Sequence, residues 1–203
     1  MLKLLGIPFV SHPADIDEHK NGIEDPRAYV ERMAFEKGEA VPAGEDEVVL
    51  SADTIVDLDG RVLGKPGDDA QAEEFLRLMR GRTHRVHTAL SLHFGNGDPV
   101  LSDVCLSPVP MRAYADAEIS AYVARGSYRD KAGGYAIQDE AFHPVEKVPG
   151  CYANVMGLPL CHVYRLLRQA GFAPNTEIAR DCQRYNGICC TVYPLILQVE
   201  QDE

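Results

Sequence analysis

Apolar and β-branched residues in Glu47-Val48-Val49-Leu50-Ser51-Ala52 predict a buried strand, and the turn signal Leu58-Asp59-Gly60-Arg61 folds Arg61-Val62-Leu63 back beside it. The strand is expected to end at an acid, so that Asp53 of Ser51-Ala52-Asp53-Thr54 and Lys65 of Gly64-Lys65-Pro66 share one rim of the hairpin. An ionised carboxylate closing a buried strand opens onto solvent or a ligand, because burial without a partner costs several kcal/mol. The partner would be a metal, a substrate or Lys65 itself. The plainer alternative is a surface hairpin carrying an ordinary exposed Asp and Lys.

Elsewhere the periodicity alternates between helix and strand. Asp25-Pro26 reads as an N-cap followed by proline at the first helical position, with a helix to about Val41. Its apolar stripe of Val30, Met33 and Ala34 continues into Lys37, which therefore projects from the inward face, either snorkelling or reaching an anion in a cleft. Asp68 to Met79 predicts a second helix, buried through Ala72, Phe75, Leu76 and Met79 and stopped by Gly81. Thr83 to Phe94 alternates as one long strand: His84, Val86, Thr88, Leu90, Leu92 and Phe94 share a face, while Arg85, His87, Ser91 and His93 form a second face expected to be wet. Gly95-Asn96-Gly97-Asp98 turns the chain into an antiparallel strand, Val100 to Met111. Asp116 to Ala124 is a short helix closed by Gly126. A glycine-bearing loop, Asp130 to Gln138, is expected to lead into a strand, and a final helix spans Leu160 to Gln169 with Leu160, Val163, Tyr164, Leu167 and Ala170 inward. The tail from Pro174 carries no readable motif.

Composition narrows the function. The 203 residues suffice for one core, or for two small lobes around a cleft, and 45% hydrophobic with 25% charged residues is an ordinary globular balance. No apolar run approaches the roughly 18 residues of a membrane helix, and no basic, apolar and cleavable leader opens the chain, so a soluble cytoplasmic protein without membrane partners is expected. A formal charge of −11 argues against nucleic-acid binding but leaves room for a small anion in a local cationic pocket. The six cysteines lack finger spacing and read as reduced structural thiols, with no metal assigned to Cys182, Cys189 and Cys190.

Seven strings carry a further reading. Asp17-Glu18, Arg32-Met33-Ala34-Phe35-Glu36-Lys37, Ala52-Asp53-Thr54, Gly64-Lys65-Pro66, Gly81 to Thr88, Lys131 to Gln138 and Asn154-Val155-Met156-Gly157-Leu158-Pro159 resemble, in order and spacing, the Maf family of nucleoside triphosphate pyrophosphatases, over roughly Met1 to Phe172. The resemblance implies an α/β fold with a mixed twisted sheet, flanking helices and two lobes around a nucleotide cleft, as in the inosine triphosphate pyrophosphatases. It also implies a homodimer and dependence on a divalent metal, Mg²⁺ or Mn²⁺. Carried onto this chain, it makes Asp53 the catalytic carboxylate, Glu18 with Asp53 the metal-holding acids, and Lys37 and Lys65 the phosphate-facing amines. Thr54 and Gln138 match the positions that separate the dTTP and UTP subfamily from the one acting on methylated guanosine triphosphate. Arg82 and His84 are further substrate-binding candidates, with His84 equally readable as a structural residue.

Hydrolysis between the α and β phosphates to a monophosphate and pyrophosphate needs an activated water and cations on the departing charge. The family's Ser-x-Ser-Pro-Arg-Arg loop and the strand before it are not found upstream of Leu2-Lys3-Leu4-Leu5-Gly6-Ile7-Pro8-Phe9, which resembles the last turn of the helix that follows them. The expectation is a domain at 1–172 without that strand and phosphate loop, and a C-terminal extension at 173–203. Either the true start lies upstream or the chain is a paralogue that has lost part of its site. The competing functional reading is a catalytically weak nucleotide-binding regulator or dimeric scaffold linked to cell division.

Overall fold

In a computed structural model, which describes residues 1–18 and 24–198, a four-stranded antiparallel sheet organises the chain in the order β2-β1-β3-β4. The strands are β1 (Val48–Leu58), β2 (Arg61–Leu63), β3 (Thr83–Phe94) and β4 (Leu101–Pro110). The Asp59-Gly60 turn forms as expected, but β1 does not stop at Ala52. It runs on to Leu58, so Asp53 lies in mid-strand opposite Ala89, and Thr54 lies opposite Thr88. β2 pairs only with Val56–Leu58. Among the described residues, no strand flanks the stretch of β1 around Asp53 on the side away from β3. Side chains from both faces of β1 can therefore meet along that edge.

Helix α1 (Pro26–Glu39) starts where Asp25 accepts from the Arg27 and Ala28 amides at 2.9 and 3.3 Å. It packs Tyr29, Val30, Met33 and Ala34 against Ile55 and Ala89. This corrects the expectation of a wet second face on β3: His87 and Ser91 are buried there, because α1 covers that face. The helix lies very close. A Cβ on Gly38 would fall 2.2 Å from the His93 ring and 2.8 Å from Ser51 Oγ, which donates to the Ala34 carbonyl at 2.6 Å. Ser51 and Ser91 on that face spend their hydrogen bonds on the helix and the sheet, Ser91 Oγ lying 2.9 Å from His93 Nε2, whereas both ring nitrogens of the buried His87 have no hydrogen-bond partner.

The opposite face divides into two cores. Helices α2 (Asp69–Met79) and α3 (Asp116–Ala124) enclose Val56, Leu58, Leu63, Val86, Phe75, Leu76, Ile119 and Tyr122. Toward the other end, Leu90, Leu92 and Cys105 pack with α5 (Leu160–Gln169), with the 3₁₀ turn Leu2–Leu5 and with α6 (Ile178–Asn186). Between these cores lies the four-residue α4 (Tyr152–Val155). The segment after Pro174, in which no motif was readable, packs onto the fold through α6 and α7 (Tyr193–Leu197). Ile178 and Cys182 of α6 are buried, and α7 is tied back by Arg165, which donates to the Ile196 carbonyl at 3.2 Å. Leu160–Gln169 forms as predicted but is not the last helix.

The Asp130–Gln138 loop leads into no strand. It makes a 3₁₀ turn at Ala132–Gly134, and its backbone is satisfied elsewhere: Gly133 N–H donates to the Gly64 carbonyl at 3.0 Å and Ala136 N–H to the Tyr122 hydroxyl at 2.9 Å. Gly133 has φ +69°, and a Cβ there would sit 2.9 Å from Val56 Cγ2. Gly133→Ala is therefore expected to lower stability by about 2 kcal/mol, from left-handed strain plus overpacking. Urea unfolding measures it, and a loss below about 0.5 kcal/mol, the range of an ordinary surface change, would contradict this packing.

Candidate active site

A cleft of about 330 Å³ runs along the open edge of β1. Its lining includes Glu18, Lys37, Asp53, Thr54, Lys65 and Gln138, six of the eight residues singled out from the sequence. Three of them touch. Lys37 Nζ lies 2.6 Å from Asp53 Oδ1 and 2.7 Å from Glu18 Oε1. Asp53 reaches this point because it sits on the β1 face covered by α1, where the last turn of that helix delivers Lys37. Tyr29, which the sequence reading placed in no role, donates its hydroxyl to the Glu18 carbonyl at 2.9 Å and so fixes the Glu18 backbone beside the helix.

The electrostatics follow from this triad. Burial works to lower the Lys37 ammonium's pKa, but the hydrogen bonds to Asp53 and then Glu18 outweigh it, and the net shift is upward. Glu18 is held below the usual carboxylate range, chiefly by its hydrogen bond to Lys37 against a smaller cost of burial, with Lys65 adding its field. The Tyr29 phenol is pushed up by burial and then by the neighbouring Asp53 and Glu18 charges. Two carboxylates thus share one ammonium, and the triad carries one net negative charge facing the Lys65 side of the cleft.

Thr54 points to the other face. Its hydroxyl lies 2.9 Å from the Thr88 hydroxyl, which donates to the Asn154 carbonyl at 3.2 Å, linking the cleft edge to α4. Val155, Met156 and Gly157 line the cleft from that side, and Lys131 and Tyr135 from the glycine-bearing loop. Lys131 was not singled out from the sequence, although a cation just ahead of two consecutive glycines was a signal that could have found it.

Arg82 and His84 are not brought to the cleft. Arg82 pairs with Asp59 and donates to the Leu78 carbonyl at 3.2 Å, which ties the hairpin turn to the end of α2. His84 is buried, its Nε2 2.9 Å from the Tyr135 hydroxyl, and burial pulls its pKa down to about 4. Its folded pKa lies below the ordinary 6.5, so the unfolded chain binds the proton more readily. The stability it contributes is complete above about pH 6.5 and is lost as pH falls toward 4, about 3 kcal/mol in all. Thermal unfolding of wild type and His84→Gln across that range checks this. The variant should have the flatter profile, and parallel profiles would refute the assignment.

A family model for Maf-like proteins matches residues 1–170. The chain is 47% identical to the dTTP/UTP pyrophosphatase of Thermomicrobium roseum over 182 residues, spanning 89% of this chain and 83% of that protein. It is 42% identical to the dTTP/UTP pyrophosphatase of Syntrophomonas wolfei over 184 residues, 89% and 94% of the two chains. Against the dTTP/UTP pyrophosphatase of Lacticaseibacillus casei it is 39% identical over 168 residues, 82% and 90% respectively. With its mixed α/β fold and this extent of similarity, the chain belongs to the Maf family.

Proposed function

We propose that the protein hydrolyses dTTP and UTP to the nucleoside monophosphate and pyrophosphate. The observation that carries this is the Asp53–Lys37–Glu18 cluster in a cleft rimmed by Lys65, in a chain similar to dTTP/UTP pyrophosphatases over most of its length. In the reaction, water attacks the α phosphorus, the bond to the bridging oxygen of the β phosphate breaks, and pyrophosphate leaves. Lys37 engages Asp53 Oδ1, which leaves proton acceptance from the water to Oδ2. Lys65 and Lys37 balance the charge that builds on the leaving group. Gln138, across the cleft, supplies an amide that can read the Watson–Crick edge of a pyrimidine.

The residues present fit a divalent cation. Asp53 and Glu18 are two hard oxygen donors already converging on one positive centre, and Mg²⁺ is typically held by one or two carboxylates together with substrate phosphates. Among the described residues no group of three or more His, Cys, Asp or Glu side chains could form an all-protein cage, so the substrate would complete the coordination. Such an ion, Mg²⁺ or Mn²⁺, would polarise the phosphoryl oxygens. A cytoplasmic homodimer is part of the same proposal; among the described residues no helix is long and apolar enough to cross a membrane.

The test is pyrophosphate release from dTTP and UTP with Mg²⁺ or Mn²⁺, before and after chelation. Turnover that is lost with EDTA and restored by the metal is expected. Saturable nucleotide binding without turnover would instead make the protein a binding module.

A further inference from the structure

Of the three side chains that meet in the cleft, Glu18 has the loosest footing. Asp53 stands in a strand and Lys37 in a helix, whereas residues 7–18 carry no helix or strand and the Glu18 side chain is 53% exposed. Neither regular backbone pairing nor burial fixes that carboxylate. A group so placed is a poor partner for a cation that demands near-ideal geometry, because its order would have to be supplied at the moment of binding.

Three contacts supply that order beforehand. Ile16, two residues ahead, packs against the cluster that includes Tyr29, Val30 and Met33. The Tyr29 hydroxyl donates to the Glu18 carbonyl at 2.9 Å, and Lys37 Nζ takes the carboxylate at 2.7 Å. Tyr29 is itself fixed. Its ring is buried, and the Arg32 guanidinium lies 5.5 Å from the ring centroid while it pairs with both carboxylate oxygens of Glu24 at 2.8 and 3.0 Å. The contacts differ in what a cation does to them. A divalent ion drawn to Glu18 competes with Lys37 for the same carboxylate, so that tie weakens as the ion binds. The Tyr29 bond runs to the backbone carbonyl and persists.

Resting on the metal-dependent reaction proposed above, we infer that Tyr29 is a positioning residue: its hydroxyl holds Glu18 where that carboxylate can take a divalent cation, and it acts on the reaction only through Glu18. The experiment is a double-variant cycle of Tyr29→Phe and Glu18→Gln. It is read by Mn²⁺ binding in the presence of α,β-methylene-UTP, which cannot be cleaved at the reacting bond, and by the Mn²⁺ dependence of UTP hydrolysis. Tyr29→Phe keeps the ring beneath Arg32, and thermal unfolding verifies that each variant is folded. The substitution is expected to weaken Mn²⁺ binding about tenfold, the lower end of what removing a group that orients a metal ligand costs. The KM for Mn²⁺ should rise by the same factor while saturating metal restores kcat. In the Glu18→Gln background the same change should have no further effect. Unchanged Mn²⁺ binding in Tyr29→Phe, a loss that multiplies onto that of Glu18→Gln, or a fall in kcat that metal does not restore would overturn the inference. A wild type that holds no Mn²⁺ beyond what the analogue binds by itself would overturn it too. Absence of UTP turnover with Mn²⁺ binding intact counts instead against the proposed activity, and the binding cycle then decides the role of Tyr29 separately.

Discussion

Asp53→Asn is expected to lower kcat by about 10²–10⁴-fold while nucleotide binding persists. The substitution keeps the volume of a side chain packed between β1 and α1, so the fold has no cavity to absorb. What it removes is chemical. The amide cannot take a proton from water at neutral pH, and it is a poor ligand for a hard cation. Lys37 Nζ, 2.6 Å from Asp53 Oδ1, would keep Glu18 as its anionic partner, so the amine stays in place and substrate affinity remains. Single-turnover kinetics and nucleotide binding on the same preparation separate the two effects. Retention of more than about a tenth of the wild-type kcat would remove Asp53 from the catalytic role.

Lys37→Ala should cost about 10²–10³-fold in turnover, the scale of one preorganised charge-stabilising donor. The amine has two tasks under the proposed reaction: it complements the departing pyrophosphate, and it compensates two carboxylates that converge on it at 2.6 and 2.7 Å. Without it, Asp53, whose side chain is only 12% exposed, loses its nearest cation. Triphosphate hydrolysis should therefore fall much more than binding of the monophosphate product, because the product lacks the charge that Lys37 meets in the transition state. Lys65→Ala should show the same split at smaller size, since Lys65 is exposed on the rim and screened by water. Equal losses for triphosphate and monophosphate would make both lysines general structural cations.

Local pattern was enough where the periodicity was clean. The bounds of β3 and α5, the Asp25 cap and the Asp59-Gly60 turn are all written within a few residues of themselves. The inward face of α1 was legible too, and it set Lys37 on that face, though spacing alone left open whether the amine snorkels or reaches an anion. Other features depended on partners distant in sequence. Nothing around His87 or Ser91 announces that α1 will bury them; that outcome depends on Gly38 letting the helix approach the sheet. The glycine-bearing Asp130–Gln138 loop was expected to lead into a strand, but the Tyr122 hydroxyl and the Gly64 carbonyl take its backbone hydrogen bonds. In α6 the buried stripe is short, Ile178 and Cys182 among polar residues, too little to separate from a solvated tail. Arg82 was a ligand candidate, and His84 equally a ligand or a structural residue, because both sit in a string shared with the family, and register alone could not show that one faces Asp59 and the other Tyr135.

Helix α4, four residues long, is far too short to persist on its own, yet it supplies one wall of the cleft. The buried Ser107 hydroxyl holds it, accepting from the Cys151 amide and the Asn154 side-chain amide at 3.0 Å each and donating to the Cys151 carbonyl at 3.1 Å, while Asn154 also donates to the Val86 carbonyl at 3.0 Å. This wall is thereby fastened to β3 and β4 instead of to the loops beside it. In native-state hydrogen exchange, the amides of Asn154 to Gly157 should open with the sheet and not with the surface turns, so this side of the cleft belongs to the slowest-exchanging cooperative unit of the protein.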